Sequence, residues 1–117
     1  MVKLVLSGDK NIGSICPQLQ SGNPDWIVLD KDTIKNVANR VLIEKATPGQ
    51  TFIIPGDMVN PRQHASNINK LLAYMVSSRK RWNWNFIIVA PALKKVDKRI
   101  RASIDETEEW VGIDGIR

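Results

Sequence analysis

The first residues able to do chemistry in this 117-residue chain are Ser7-Gly8-Asp9-Lys10-Asn11, where a hydroxyl, a carboxylate, an ammonium and a carboxamide directly follow a hydrophobic run. Such a set can hydrogen-bond or ion-pair with a polar ligand, and a hydroxyl or amine in it could serve as a nucleophile if a base or a lowered pKa activated it. Asp30, Asp57, Asn60, Arg62, His64 and Asp114 add further polar groups at or just beyond the exits of other apolar runs. Several familiar devices are missing. No Gly-x-x-x-x-Gly-Lys-Ser/Thr, Gly-x-Gly-x-x-Gly or Gly-x-Ser-x-Gly occurs, so a P-loop, a dinucleotide fingerprint and a nucleophile elbow are all absent. No Cys/His spacing suggests zinc, no metal site is expected, and no cofactor is implied. Cys16 and His64 are the only thiol and imidazole, and nothing in their spacing makes them a nucleophile and its base. Cys16 reads as a small buried residue and His64 as a surface residue early in a helix.

These groups must be positioned by elements that the hydrophobic pattern outlines. Val2-Lys3-Leu4-Val5-Leu6 reads as a strand covered on both faces, near the middle of a parallel sheet. In such sheets ligands bind beyond the carboxyl ends of the strands, which puts Ser7 to Asn11 where a site is expected. Residues 11–20 allow a turn or two of helix around Ile12, Ile15 and Leu19, kept short by Gly13 and Pro17. Ser21-Gly22-Asn23-Pro24 is a loop, and Trp26-Ile27-Val28-Leu29 is a second buried strand ending at Asp30. Asp32 can cap a helix with Ile34, Val37, Ala38 and Val41 on its buried face, ended by Pro48-Gly49. Thr51-Phe52-Ile53-Ile54 is a third strand, running into Pro55-Gly56-Asp57.

Asn60-Pro61 opens a helix with Ile68, Leu71, Leu72, Met75 and Val76 on one face, finishing in Ser77-Ser78-Arg79-Lys80-Arg81, where positive charge suits the end of the helix dipole. Phe86-Ile87-Ile88-Val89 is a fourth strand, closed by Ala90-Pro91. A last helix is expected from Leu93 to Ile104 with Leu93, Val96, Ile100 and Ile104 inward. Its charges oppose the macrodipole, with lysines and arginines in its first turns and the acidic block Asp105-Glu106-Thr107-Glu108-Glu109 beyond its end, a penalty of about 0.3–1 kcal/mol per group. A short fifth strand is expected at Trp110-Val111-Gly112-Ile113. The alternation predicts one α/β domain over residues 1–117, three-layered and flavodoxin-like, with a four- to five-stranded parallel sheet and right-handed crossovers.

Composition narrows the class further. Hydrophobic residues make up 43% of the chain, enough for one core without metal or disulfide staples. The single cysteine cannot form an internal bridge, no apolar run reaches the length of a membrane span, and no signal peptide is evident, so an intracellular, cytoplasmic protein without a membrane partner is expected. Seventeen Lys and Arg against twelve Asp and Glu give a net charge of +5. That excess favours encounter with an acidic surface at low salt. It is concentrated in Arg79, Lys80 and Arg81, beside Trp82 and Trp84, and in Lys94, Lys95, Lys98, Arg99 and Arg101. These residues could supply phosphate contacts and a stacking surface for single-stranded nucleic acid. The other explanation is local: cations at a helix end, and a tryptophan packed at the edge of the core.

Taken in order, these blocks resemble the SGNH (GDSL-type) hydrolase family, including its small viral and transposon-borne esterase domains. Leu4-Val5-Leu6-Ser7-Gly8-Asp9-Lys10-Asn11-Ile12 is similar to the family's first block, a strand followed by Gly-Asp-Ser-Asn-Ile. Pro55-Gly56-Asp57-Met58-Val59-Asn60 is similar to its Gly-x-Asn-Asp block, and the helix carrying Ile68, Asn69, Leu71 and Leu72 follows where the family has one. Phe86-Ile87-Ile88-Val89-Ala90-Pro91 resembles the next strand, and Asp114-Gly115-Ile116-Arg117 the Asp-Gly-x-His signature. The resemblance implies a ligand cleft at Ser7, Asp9, Lys10, Asn11, Asp57 and Asn60.

The departures fall on the catalytic positions. Lys10 stands where the family has its serine nucleophile, and Arg117 where it has its histidine base, which a guanidinium cannot replace because it stays protonated. The Gly-x-Asn-Asp block is scrambled, leaving Asn60 out of place, and the oxyanion glycine expected after the second strand has no counterpart near Asp30. Lys10 beside Asp9 would be held charged instead of activated. With Lys10, Asn60, Asp114 and Arg117 as degenerate positions and no intact catalytic set, the resemblance implies a pseudoenzyme acting as a binding or structural module, in a virus-infected cell or virion. Its partner would be a protein or a nucleic acid. A residual esterase is the enzymatic alternative. Asp57-Met58-Val59-Asn60-Pro61 after a third strand is also similar to the phosphoacceptor turn of receiver domains, but the hydroxyl residue those domains carry after their fourth strand is replaced here by Ala90-Pro91.

Overall fold

In the computed structural model, which describes residues 1–8, 12–29, 49–56 and 67–110, five parallel strands form one sheet in the order β2-β3-β4-β1-β5. The strands are β1 (Val2–Leu6), β2 (Ile27–Val28), β3 (Thr51–Pro55), β4 (Asn85–Ala90) and β5 (Glu106–Glu109). Helices α1 (Ile12–Gly22), α2 (Asn67–Ser77), α3 (Arg79–Trp82) and α4 (Lys98–Arg101), with a 3₁₀ turn at Leu93–Lys95, lie between them. The expected three-layer, flavodoxin-like α/β architecture is present. Within it, β1 lies between β4 and β5, whereas in the flavodoxin order 2-1-3-4-5 the first strand lies between the second and third.

The layers follow from the direction of each crossover. From β1 the chain travels to the far edge at β2, then steps back through β3 to β4, and finally passes over β1 to reach β5. Right-handed connections that travel in opposite directions put their helices on opposite faces of a sheet. Accordingly α1 packs on one face, where Ile15, Cys16 and Leu19 meet Val5, Ile53, Ile87, Val89 and Trp110. On the other face Leu72, Met75 and Val76 of α2, with Val96 and Ile100, cover Leu4, Phe52, Ile54, Phe86 and Ile88. The alternation of Leu4 with Val5, Ile53 with Ile54, and Ile87 with Ile88 between the two cores is the period of two of a strand buried on both sides.

Trp84 belongs to the α2 side. It is 1% exposed, with its ring edge-on to Phe52 at 5.6 Å and to Phe86 at 6.4 Å. This corrects its assignment as a nucleic-acid-stacking residue, because a ring enclosed by two phenylalanines has no free face. Trp82 closes α3, and its side chain lies outside the described residues.

Three element expectations change. The first helix is longer than a turn or two: α1 runs for eleven residues through the interior Pro17. The continuous helix expected from Leu93 to Ile104 is broken into the 3₁₀ turn and the four-residue α4, because Val96 is extended and Asp97 starts a new helix as its cap. The Asp97 side chain accepts from the Arg99 backbone N–H at 2.9 Å, so a carboxylate meets the positive end of α4.

The acidic block is β5 itself instead of the tail of a helix, and Trp110, the first residue of the strand expected at 110–113, continues its pairing with β1, whereas 111–113 lie outside the described residues. Its Glu106 and Glu108 lie on the Lys3 side of the sheet, at 3.8 and 3.1 Å from the Lys3 ammonium. The acidic block therefore opposes no helix dipole, whereas Lys98 and Arg99 still stand in the first turn of α4, where the Asp97 cap offsets them. The helix expected after Asp32 lies outside the described residues, as does the start of the helix expected from Asn60.

Candidate functional site

Opposite crossover directions from neighbouring strands create a crevice at the carboxyl edge of a parallel sheet, and here those neighbours are β1 and β4. The crevice is built by strand ends that lie tightly together. Ser7 continues the β1 ladder, its N–H donating to Ala90 O at 2.8 Å, and Gly8 then turns away with φ +60, a conformation favouring glycine. On the next strand, Gly56 follows β3 so closely that a Cβ there would stand 2.5 Å from Val89 O and 2.9 Å from Ala90 Cα. Only a residue without a side chain fits between β3's exit and the β4 backbone. From the other side, the Trp110 N–H donates to Leu6 O at 3.0 Å, so the chain leaves β5 at the same edge where it leaves β1.

At the centre of this edge is the Ser7 hydroxyl. Ser7 is 4% exposed, and its Oγ has no hydrogen-bond partner among the described residues. A buried hydroxyl without a partner forfeits about 1–3 kcal/mol of desolvation, and most such groups in native proteins are satisfied.

Of the residues expected at the cleft, Ser7 is thus at the crevice. Asp9, Lys10, Asn11, Asp57, Asn60, Asp114 and Arg117 lie outside the described residues, as do Asp30, Arg62 and His64. The segments carrying those residues follow β1, β2, β3 and β5, which are parallel and so all leave the sheet at this one edge. Cys16 is 3% exposed in the α1 core, as expected of a small buried residue.

The basic candidates divide along β4. Arg79, Lys80 and Arg81 precede it, and the Arg79 guanidinium donates to Val76 O at 2.8 Å, closing the end of α2. Lys94 and Lys95 follow β4, at the opposite edge, and both are exposed. Lys98, Arg99 and Arg101 sit on α4, which shares a core with α2. Arg99 grips the Asp97 carboxylate through Nε at 3.1 Å and Nη2 at 3.2 Å, and this hydrogen bonding holds its guanidinium above the usual arginine range.

Two residues went unrecognised in the sequence. Asp97 has a cap's usual position, just before a helix, but the apolar spacing of Val96 and Ile100 obscured it. Tyr74 falls off the apolar stripe of α2 and is 48% exposed.

Among the described residues no three His, Cys, Asp or Glu side chains gather as metal ligands would, and no helix is long and apolar enough to cross a membrane. The fold is that of a three-layer α/β protein with its topological switch point between β1 and β4. Compared with known proteins, the chain matches no protein-family profile and no curated sequence.

Proposed function

We propose that this chain is a non-catalytic, SGNH-hydrolase-like binding module whose ligand enters the carboxyl-edge crevice between β1 and β4. The observation that carries the reading is the Ser7 hydroxyl, buried at the switch point with no partner among the described residues. A ligand oxygen or N–H meeting it would recover the hydrogen bond that folding leaves unmade. The convergence of the exits of β1, β3 and β5 supports the reading, because the resemblance distributes its site residues over those three exits. Lys10 and Arg117, in place of nucleophile and base, support binding without turnover. An intracellular setting of viral or mobile-element origin accompanies this reading through the same resemblance.

The probes are an activated aryl ester, for turnover, and a short unactivated alkyl ester, for binding. No hydrolysis above buffer is expected from the first, and turnover abolished by Lys10→Ala or Cys16→Ala would overturn the non-catalytic reading. In an amide-resolved titration the second should move Ser7, Gly8, Gly56 and Ala90, and Ser7→Ala should weaken that response while leaving stability within about 0.5 kcal/mol. A large loss of stability in Ser7→Ala would mean that the hydroxyl is already satisfied, and the crevice would lose its main support.

A further inference from the structure

Among the described residues, charge is unevenly distributed between the two helical layers. The stretch from Asn67 to Ile104, which includes α2, α3, the 3₁₀ turn and α4, contains nine lysines and arginines and one acidic residue, Asp97. That carboxylate is 3% exposed and capped into α4, so it contributes little negative charge to the surface. On the opposite face, the described helix α1 has no charged residue. Acidic side chains collect instead on β5 at the sheet edge, where Glu106 and Glu108 are engaged by Lys3.

Among the described residues the only ion pair in this layer is that of Arg99 with Asp97. Lys70, Lys80, Lys94, Lys95 and Lys98 are exposed, and none has an ion pair among the described residues. Lys80 and Lys94 stand near opposite ends of β4, whose six residues span about 20 Å. That distance accommodates several successive phosphates of a nucleic-acid strand.

Next to Lys70 on α2 is an exposed aromatic residue. Tyr74 lies one turn along α2 from Lys70 on the same outer side, and the residue is 48% exposed while Leu72, Met75 and Val76 face the core. A cationic track with an accessible ring is how sequence-tolerant single-strand binders combine phosphate contacts with base stacking. Trp84, enclosed in the core, cannot supply that ring; Tyr74 can.

We propose that the α2–α4 layer is a single-stranded nucleic-acid-binding surface, with its exposed lysines on the phosphates and Tyr74 stacked on a base. It shares no described residue with the carboxyl-edge crevice, so either reading can fail alone.

The test is fluorescence anisotropy of the whole chain with a labelled oligothymidine of about 20 nucleotides and with a duplex of the same length. Binding to the single strand should fall by about a hundredfold between roughly 50 and 200 mM salt if about five phosphates are contacted. Lys94→Gln/Lys95→Gln/Lys98→Gln should flatten that salt dependence. Tyr74→Ala should weaken binding by about 5- to 100-fold, with Tyr74→Phe close to the parent, since a phenyl ring still stacks. The proposal is overturned by no binding at low salt, by equal or tighter binding of the duplex, by displacement with polyglutamate at equal charge, or by a Tyr74→Ala variant that binds unchanged.

Discussion

Asp97 illustrates how one side chain resets a local structure. A continuous helix from Leu93 would have used the apolar positions Val96 and Ile100 equally well, since both are fully buried in the observed fold. The carboxylate accepts the Arg99 N–H and the Arg99 guanidinium together, and a cap that is both buried and ion-paired gives the chain a better option than another turn of helix. Asp97→Ala should therefore cost about 1–2 kcal/mol in urea denaturation, whereas Asp97→Asn, which can still cap, should cost appreciably less. Equal losses in the two variants would show that the ion pair, not the cap, is what matters. Gly56 acts at the same scale by subtraction: the absence of a side chain lets β3 leave the sheet against the β4 backbone. Its need for glycine was invisible in sequence because it depends on a neighbour more than thirty positions away.

Helix α1 is the element whose persistence most needs explaining. Pro17 lies well inside it and can offer no N–H to the carbonyl one turn earlier. The helix survives because Ile15, Cys16 and Leu19 bury a continuous stripe on the sheet while Pro17 itself is exposed. Burial of a full aliphatic side chain contributes about 1.5–3 kcal/mol, so two or three of them outweigh the missing bond. Pro17→Ala should stabilise the protein by about 1–2 kcal/mol in thermal or urea unfolding, the restored hydrogen bond being partly offset by a freer unfolded chain. Destabilisation would mean that the proline directs the chain into α1. Strand β5 makes the opposite point. Its Glu-Thr-Glu-Glu sequence has little strand propensity, yet pairing with β1 and the Lys3 contacts hold it in the sheet, and its charge suits an edge that must not pair with another chain.

For the molecule as a whole, the sheet's strand order sets where rigidity should reside. Strands β4 and β1 each have a neighbour on both sides and contribute to both cores, whereas β2 pairs over only two residues and β5 is an exposed edge. Native-state hydrogen exchange should show the amides of Phe86–Ala90 and Val2–Leu6 opening last, near the global unfolding free energy, with Glu106–Glu109 exchanging earlier. Equal protection across all strands would contradict this hierarchy.

The hydrophobic runs by themselves determined the class, since apolar strands alternating with amphipathic helices can bury both sheet faces only as a three-layer α/β fold. They also put the polar residues that follow the strands, Ser7 among them, at the carboxyl edge of the sheet. Only the tertiary structure decided that β1 would stand between β4 and β5, that the acidic block would become a strand, and that Tyr74 instead of Trp84 would face solvent. Those outcomes depend on contacts between residues far apart in the chain, such as Lys3 with Glu108 and Trp84 with Phe52, whose free energies no local pattern of residue types contains.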